Sequence, residues 1–267
     1  MTSFIRRFLA AAALAALAFA GAASAAERRV VVADPAPPLV GVAASGPLIG
    51  YLTTPTGAGP FPAVALIPSC LGLPENRAAF AATLASWGYV ALFVDEFTSR
   101  GLSETCSVDF PVGPADAAAA LGFLVRQPFV DPARVAVAGF SQGGDVALAL
   151  AISPPRGARL RAAAAYYPPC ANRDGETLEI PTLVLVGAAD SVTPAEDCRH
   201  FVAAQPAGAA RLVVLPGAGH LFDDPASAGG RVVLGMRFAY DRAAAARAEL
   251  ELRRFLAQTL SQRRDGD

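Results

Sequence analysis

The sequence predicts an α/β fold: one mostly parallel central sheet with helices packed on both faces and no large lid. Three observations predict it. Apolar runs alternate with helical patterns along the chain, as successive βαβ units require. Several runs, Thr182 to Val186 among them, are almost continuously apolar, as strands covered on both faces must be. A Gly-x-Ser-x-Gly turn at 139–143 joins one such run to a helical pattern. In chain order, Arg29 to Ala33 and Leu48 to Thr53 are expected as antiparallel edge strands, separated by a Pro-rich stretch from Asp34 to Pro38. The parallel strands are expected at Pro62 to Ile67, Tyr89 to Val94, Arg134 to Ala138, Ala163 to Tyr167, Thr182 to Val186 and Arg211 to Leu215. Helices are expected near Arg77 to Trp87, Ala115 to Arg126, Gly143 to Ile152 and Ala195 to Ala204. A long Ala-rich amphipathic helix follows from Asp241 to about Leu260. There is no internal repeat.

Residues 1–25 read as a signal peptide and 26–267 as a single domain. Arg6 and Arg7 precede an apolar run from Phe8 to Ala20, and Ala23-Ser24-Ala25 offers a small-residue cleavage site before Ala26. A retained anchor is the alternative, but the run is shorter than the roughly 20 apolar residues that a spanning helix needs. No membrane span is expected after cleavage, and the chain is expected in the periplasm or outside the cell, with the general secretory route favoured over the twin-Arg one. A net charge of -1 offers no basic surface for nucleic acid. All 22 basic residues are Arg, which removes Schiff-base chemistry, Ser-Lys dyads and the phosphate-binding Walker loop.

The chemistry converges on Gly139-Phe140-Ser141-Gln142-Gly143. At a strand-to-helix junction this turn lifts the Ser141 hydroxyl above the sheet, at a helix N-terminus that favours negative charge. Serine is a poor nucleophile without a general base. The chain has two histidines. His220, in the glycine-containing loop after the last strand, is the expected base, whereas His200 falls in a helical pattern beside Arg199 and reads as a solvated surface residue. Asp190, just past the strand Thr182 to Val186, is expected to orient the imidazole and stabilise its charged form. Asp95 competes, as would Asp223 and Asp224 in an unusual loop. For the oxyanion the expected donors are the backbone N–H groups of Gln142 and Cys70; Pro68 has none to give.

With these residues located, the chain resembles the dienelactone hydrolase family of the α/β-hydrolase superfamily, from about Pro62 to Leu260. The resemblance is carried by Cys70-Leu71-Gly72, Val94-Asp95-Glu96-Phe97 with Arg100-Gly101, Asp131-Pro132-Ala133-Arg134 and Gly139 to Gly144. Gly187 to Asp190 with Thr193-Pro194 and Cys198, Pro216 to His220, and Ala239-Tyr240-Asp241 complete it. It implies a cofactor-free hydrolase of carboxylic esters or lactones, with small-molecule substrates. The enzyme that names the family uses a cysteine nucleophile where this chain has Ser141, which points to general esterase chemistry. Many relatives have His-Gly at Pro68-Ser69. The resemblance also offers Arg100 as a ligand for a substrate carboxylate, against a surface salt bridge as the plainer reading.

Four cysteines in an exported chain suggest two disulfides, with three pairings possible. Cys70 and Cys106 both follow strands at the C-terminal edge of the sheet, as do Cys170 and Cys198, so these two pairs are expected. No metal site is expected, because neither histidine shows ligand spacing. Only about 14 residues separate Tyr167 from Thr182, too few for a mobile cap. An open cleft for short acyl esters or a protruding chain end follows. An acyltransferase or a peptidase could use the same triad; a non-catalytic binding protein on this scaffold should have lost a triad member.

Overall fold

The computed structural model describes residues 26–34, 36, 46–106, 113–157, 159–233 and 236–260. The expected leader, 1–25, lies outside them. Eight strands form one sheet: β1 (Arg28–Ala33), β2 (Leu48–Thr53), β3 (Phe61–Ile67), β4 (Val90–Asp95), β5 (Val130–Phe140), β6 (Leu160–Tyr166), β7 (Thr182–Gly187) and β8 (Ala210–Leu215). Their spatial order is β1-β2-β4-β3-β5-β6-β7-β8. From β4 onward every pairing in that order is parallel, while β2 runs antiparallel to both β1 and β4. Only β1 of the expected edge pair is therefore an edge.

Alternation along each strand sends side chains to opposite faces. Ala63, Ala65 and Ile67 of β3 belong to the core on the face covered by α2 (Gly113–Val125), α3 (Gln142–Ile152) and α4 (Ala195–Ala203), while Val64 and Leu66 belong to the core on the face of α1 (Arg77–Ser86) and α5 (Arg242–Leu260). Both faces are covered, which is why strands such as β7 are buried along their whole length. In α5 the buried positions Ala244, Ala248, Leu252, Phe255 and Leu256 recur at helical spacing against the sheet.

Two features depart from the sequence reading. Strand β5 starts at Val130, not Arg134, because Val130 pairs with Phe61 across a register shift. The shift absorbs Asp131-Pro132-Ala133, where the Asp131 carboxylate accepts the Ala133 N–H in a local turn. A short antiparallel hairpin, β9 (Arg231–Val233) with β10 (Met236–Phe238), was not anticipated. Its end returns to the sheet's C-terminal edge, where Phe238 bridges to His220.

Candidate active site

The expected reactive residues gather at the C-terminal edge of the sheet, each on the loop leaving a different strand. Ser141 lies between β5 and α3 with φ 54° and ψ -113°, a region that L residues enter only under constraint. The constraint comes from close packing. A methyl group at Gly139 would sit 1.8 Å from the Gly143 carbonyl oxygen, and one at Gly143 would sit 2.3 Å from that of Ile67. Only hydrogen at those two positions lets strand, turn and helix close around Ser141. The Ser141 N–H donates to the Tyr166 carbonyl at 2.9 Å, which fixes the turn to β6.

His220 follows β8 and is almost wholly buried. Its Nε2 lies 2.9 Å from Ser141 Oγ and its Nδ1 lies 2.8 Å from Asp190 Oδ2. With the proton on Nδ1 donated to Asp190, Nε2 is left to accept the serine proton. Asp190 is itself held tightly: its Oδ1 accepts the N–H groups of Val192 and Thr193 at 2.8 and 2.9 Å. Burial pushes its carboxyl up, but the His220 bond and charge and the two backbone donors outweigh that and hold it below the usual carboxylate range. The group therefore stays an anion beside the imidazole.

Sequence reasoning missed three neighbours of this relay. Thr193 Oγ1 is 3.0 Å from Asp190 Oδ2, 3.2 Å from His220 Nδ1 and 3.1 Å from the Tyr167 carbonyl oxygen. Its position three residues past Asp190 is the spacing of a local side-chain-capped turn, a signal the sequence did carry. Tyr167, at φ 39°, sets its ring 4.6 Å from that of His220 and donates its hydroxyl to Asp223 Oδ1 at 2.7 Å. Burial, then Asp223, pushes the Tyr167 hydroxyl well up, so it remains a donor. Phe238 also packs against the imidazole, with ring centroids 5.6 Å apart.

The remaining candidates separate. A cavity of about 40 Å³ is walled by Ser69, Cys70, Leu71, Ser141, Val192, His220, Leu221 and Phe238. Cys70 thus shares a cavity wall with Ser141, and Cys106 is bonded to it. Thr105 ties the two expected oxyanion residues together: its N–H donates to the Cys70 carbonyl and its hydroxyl to Gln142 Oε1, both at 2.7 Å. Cys170 is joined to Cys198, linking the turn after β6 to α4. His200 is 74% exposed on α4, with Asp174 at 3.4 Å. Asp95 caps its own turn through Phe97 and Thr98, and Asp224 caps the turn at Ala226.

Arg100 requires a correction. It is neither a substrate ligand nor a surface ion pair, since its side chain is fully buried. Its guanidinium is engaged by both carboxylate oxygens of buried Asp116, at 2.8 and 2.9 Å, and by the Glu96 carbonyl at 2.7 Å. Neither cavity that touches Ser69 and Leu71 has Arg100 in its wall. Among the described residues there is no cluster of His, Cys, Asp and Glu suited to a metal ion, and no helix long and apolar enough to cross a membrane.

Comparison with known proteins places this geometry in context. Residues 48–260 match the model of the dienelactone hydrolase family. An uncharacterized protein of Mycobacterium tuberculosis is 34% identical over 207 residues, covering 69% of this chain and 71% of that one. Cutinase 1 of Thermobifida cellulosilytica is 28% identical over 188 residues, covering 67% of this chain and 68% of its own. Among solved structures, a dienelactone hydrolase-like promiscuous phosphotriesterase from metagenomic libraries superposes with a TM-score of 0.67 at 24% identity, over 88% of this chain and 98% of its own. A dienelactone hydrolase from Anabaena variabilis gives 0.66 at 19%, over 89% and 99%. These structural likenesses speak to the fold.

Proposed function

The chain belongs to the dienelactone hydrolase family, and from that premise we propose that it is a serine hydrolase of carboxylic esters or lactones, working outside the cytoplasm through an acyl-enzyme on Ser141. One observation carries the proposal: a buried His220 that touches Ser141 Oγ at 2.9 Å with one nitrogen and Asp190 at 2.8 Å with the other.

In this reading His220 Nε2 removes the Ser141 proton as Oγ attacks the ester carbonyl carbon. The carbonyl electrons move to oxygen, and the N–H groups of Gln142 and Cys70 hold the resulting oxyanion. Asp190 stabilises the imidazolium, which returns its proton to the leaving alcohol as the C–O bond breaks. Water then repeats the sequence on the acyl-enzyme: His220 takes its proton, the carboxylic acid departs, and Ser141 Oγ recovers the proton. No step calls on a cofactor. Thr193 and Tyr167 act by positioning Asp190 and His220.

The substrates we favour are short acyl esters, or ester groups at a protruding chain end. The connection from β6 to β7 holds only a short turn at Cys170–Arg173, so nothing of lid size is inserted there. The relatives named cutinases support ester chemistry. Two disulfides, together with the leader read from residues 1–25, support export to the periplasm or beyond. The test is labelling with a fluorophosphonate followed by peptide mapping, alongside a panel of esters, lactones and amides. A single label on Ser141 and turnover of esters are expected. Absence of both, or a label elsewhere, would end the proposal.

A further inference from the structure

Beside the small cavity at Ser141 lies a larger one, of about 180 Å³, and the two share Ser69, Leu71 and Leu221 in their walls. Its floor is aromatic. Phe80, Phe93, Phe140 and Tyr167 all line it, with Phe80 set edge-on to Phe93 and Phe140 at 6.3 and 5.5 Å. Phe140 immediately precedes Ser141, so this floor is continuous with the reactive turn. The volume suits one ring and a substituent, since an apolar cavity of roughly 150 Å³ takes benzene.

The rim has the opposite character. Glu75, Asp223 and Asp224 contribute three carboxyl groups, and among the described residues Arg231 is the one basic residue lining it. Arg231 already faces Asp224, at 3.7 Å. Asp223 accepts from the Tyr167 hydroxyl and Asp224 from Ala226 and Ser227, so both carboxyls are fixed in place. Above an aromatic floor, whose ring faces are themselves negative, such a rim repels anions and attracts cations and hydrogen-bond donors.

We infer that this cavity is the specificity subsite for a ring-bearing half of the ester, accepting rings that are neutral or carry an ammonium or hydroxyl group and rejecting rings that carry a carboxylate. The inference rests on the reading of Ser141 as nucleophile, and it separates this chain from an enzyme built to hold an anionic substrate. The burial of Arg100 fits the same conclusion, because the cation expected to hold a substrate carboxylate is committed to Asp116.

Two series of esters test it: methyl 3-arylpropanoates and 2-arylethyl acetates, each with a para methyl, aminomethyl or carboxymethyl group. The substituents are insulated from the ester, so intrinsic reactivity is nearly constant, and the two series show which half of the ester enters. In at least one series, at about pH 8, kcat/KM for the carboxymethyl ester should fall at least ten-fold below the methyl ester, with the ammonium ester equal to it or better. In Glu75→Gln/Asp223→Asn the ratio of anionic to neutral kcat/KM should rise at least five-fold. A second arm does not depend on turnover. Calorimetry on Ser141→Ala should show 4-methylbenzylammonium binding more tightly than 4-methylphenylacetate, and Ala226→Trp, on the exposed rim, should abolish the difference.

Equal rates for anionic and neutral esters in both series, an unchanged ratio in the double variant, or equal binding of the two ions would overturn the subsite. Turnover without discrimination sinks it and leaves the hydrolase reading standing. Discriminating binding, blocked by Ala226→Trp in a protein that hydrolyses no ester, sinks the hydrolase reading and with it the subsite's role toward esters, and leaves the cavity only as a site that prefers cationic rings.

Discussion

Replacing either member of the Arg100–Asp116 pair should cost folding stability and leave ester selectivity alone. Both side chains are fully buried, and three hydrogen bonds of 2.7 to 2.9 Å bind the guanidinium to the Asp116 carboxylate and the Glu96 carbonyl. Removing Asp116 as Asp116→Ala strands a buried cation, which costs about 3–5 kcal/mol. For a chain of this size that is a fall of roughly 6–20 °C in Tm. Glu96 modulates the result. Its buried carboxyl is pushed well up by burial first and then by the neighbouring Asp116 charge. Losing Asp116 lets Glu96 ionise toward Arg100, so Asp116→Ala/Glu96→Gln should be less stable than Asp116→Ala alone. Replacing both partners, as Arg100→Met/Asp116→Leu, should recover more than half of the loss, because a matched apolar pair is comparable to a buried ion pair. Urea midpoints and Tm provide the stability cycle; kcat/KM for a neutral and a carboxylated ester, measured below every Tm, provides the control. A stable Arg100→Met protein whose KM rises ten-fold for the carboxylated ester alone would refute the structural role and restore Arg100 as a ligand.

Ser141→Ala and His220→Ala should each lower kcat by several orders of magnitude, up to about a millionfold, and together cost little more than either; His200→Gln should stay within a few-fold, and multiplicative losses would undo the pairing. Thr193→Val should lower kcat about ten-fold with KM nearly unchanged, since it removes a hydroxyl from Asp190 without touching substrate; a pure KM effect would contradict this. Burial pushes the Asp223 carboxyl from 3.8 to about 6, so the folded state holds this proton more tightly than the unfolded chain. Its contribution is most favourable below pH 3.8 and is lost as pH rises toward 6. Asp223→Asn should therefore gain stability relative to wild type across that window, and a parallel pair of Tm-versus-pH curves would show otherwise. Reducing the disulfides should destabilise by about 3–4 kcal/mol per bridge, from loops spanning 36 and 28 residues. Kinetics should respond mainly to Cys70–Cys106 and stability to both, so identical kinetics in Cys70→Ser/Cys106→Ser would detach that bridge from the oxyanion loop.

What the sequence made legible is what short-range sterics and chain order determine. The packing that demands glycine at 139 is with Gly143, within a strand, a turn and a helix that follow one another, so this part of the motif could be read locally; the demand at 143 comes from Ile67 and Pro68 at the end of β3, which no local pattern reports. Asp190 and His220 were legible for a related reason: each ends a strongly apolar run, and parallel strands deliver all such ends to the same edge. Arg100 was misread because its partner, Asp116, sits 16 residues on in a helix whose packing no local pattern reports. Tyr167 was read as the last residue of a strand, yet its left-handed backbone turns the ring toward His220 and its hydroxyl to Asp223. The hairpin that brings Phe238 to the imidazole has strands of three residues, too short for a period of two to stand out.

The division has a chemical consequence. The proposed proton relay rests on residues that lie past strand ends, on the loops leaving β5, β7 and β8. The cavity beside it has an aromatic floor from α1, β4, β5 and the end of β6, but its charged rim comes from residues 75 and 223–231, on the loops that follow β3 and β8. Substitutions at Glu75 or Asp224 can therefore change the charge of the rim while leaving the Ser141–His220 contact in place, whereas Asp223 also holds the Tyr167 hydroxyl, whose ring lies against His220. Substitutions at Gly139 or Gly143 cannot spare that contact, because their backbones are packed against its support. If Ser141 is the nucleophile we propose, a centre set by the sheet beside a rim set by loops would let one acyl-transfer chemistry be redirected among esters of different charge.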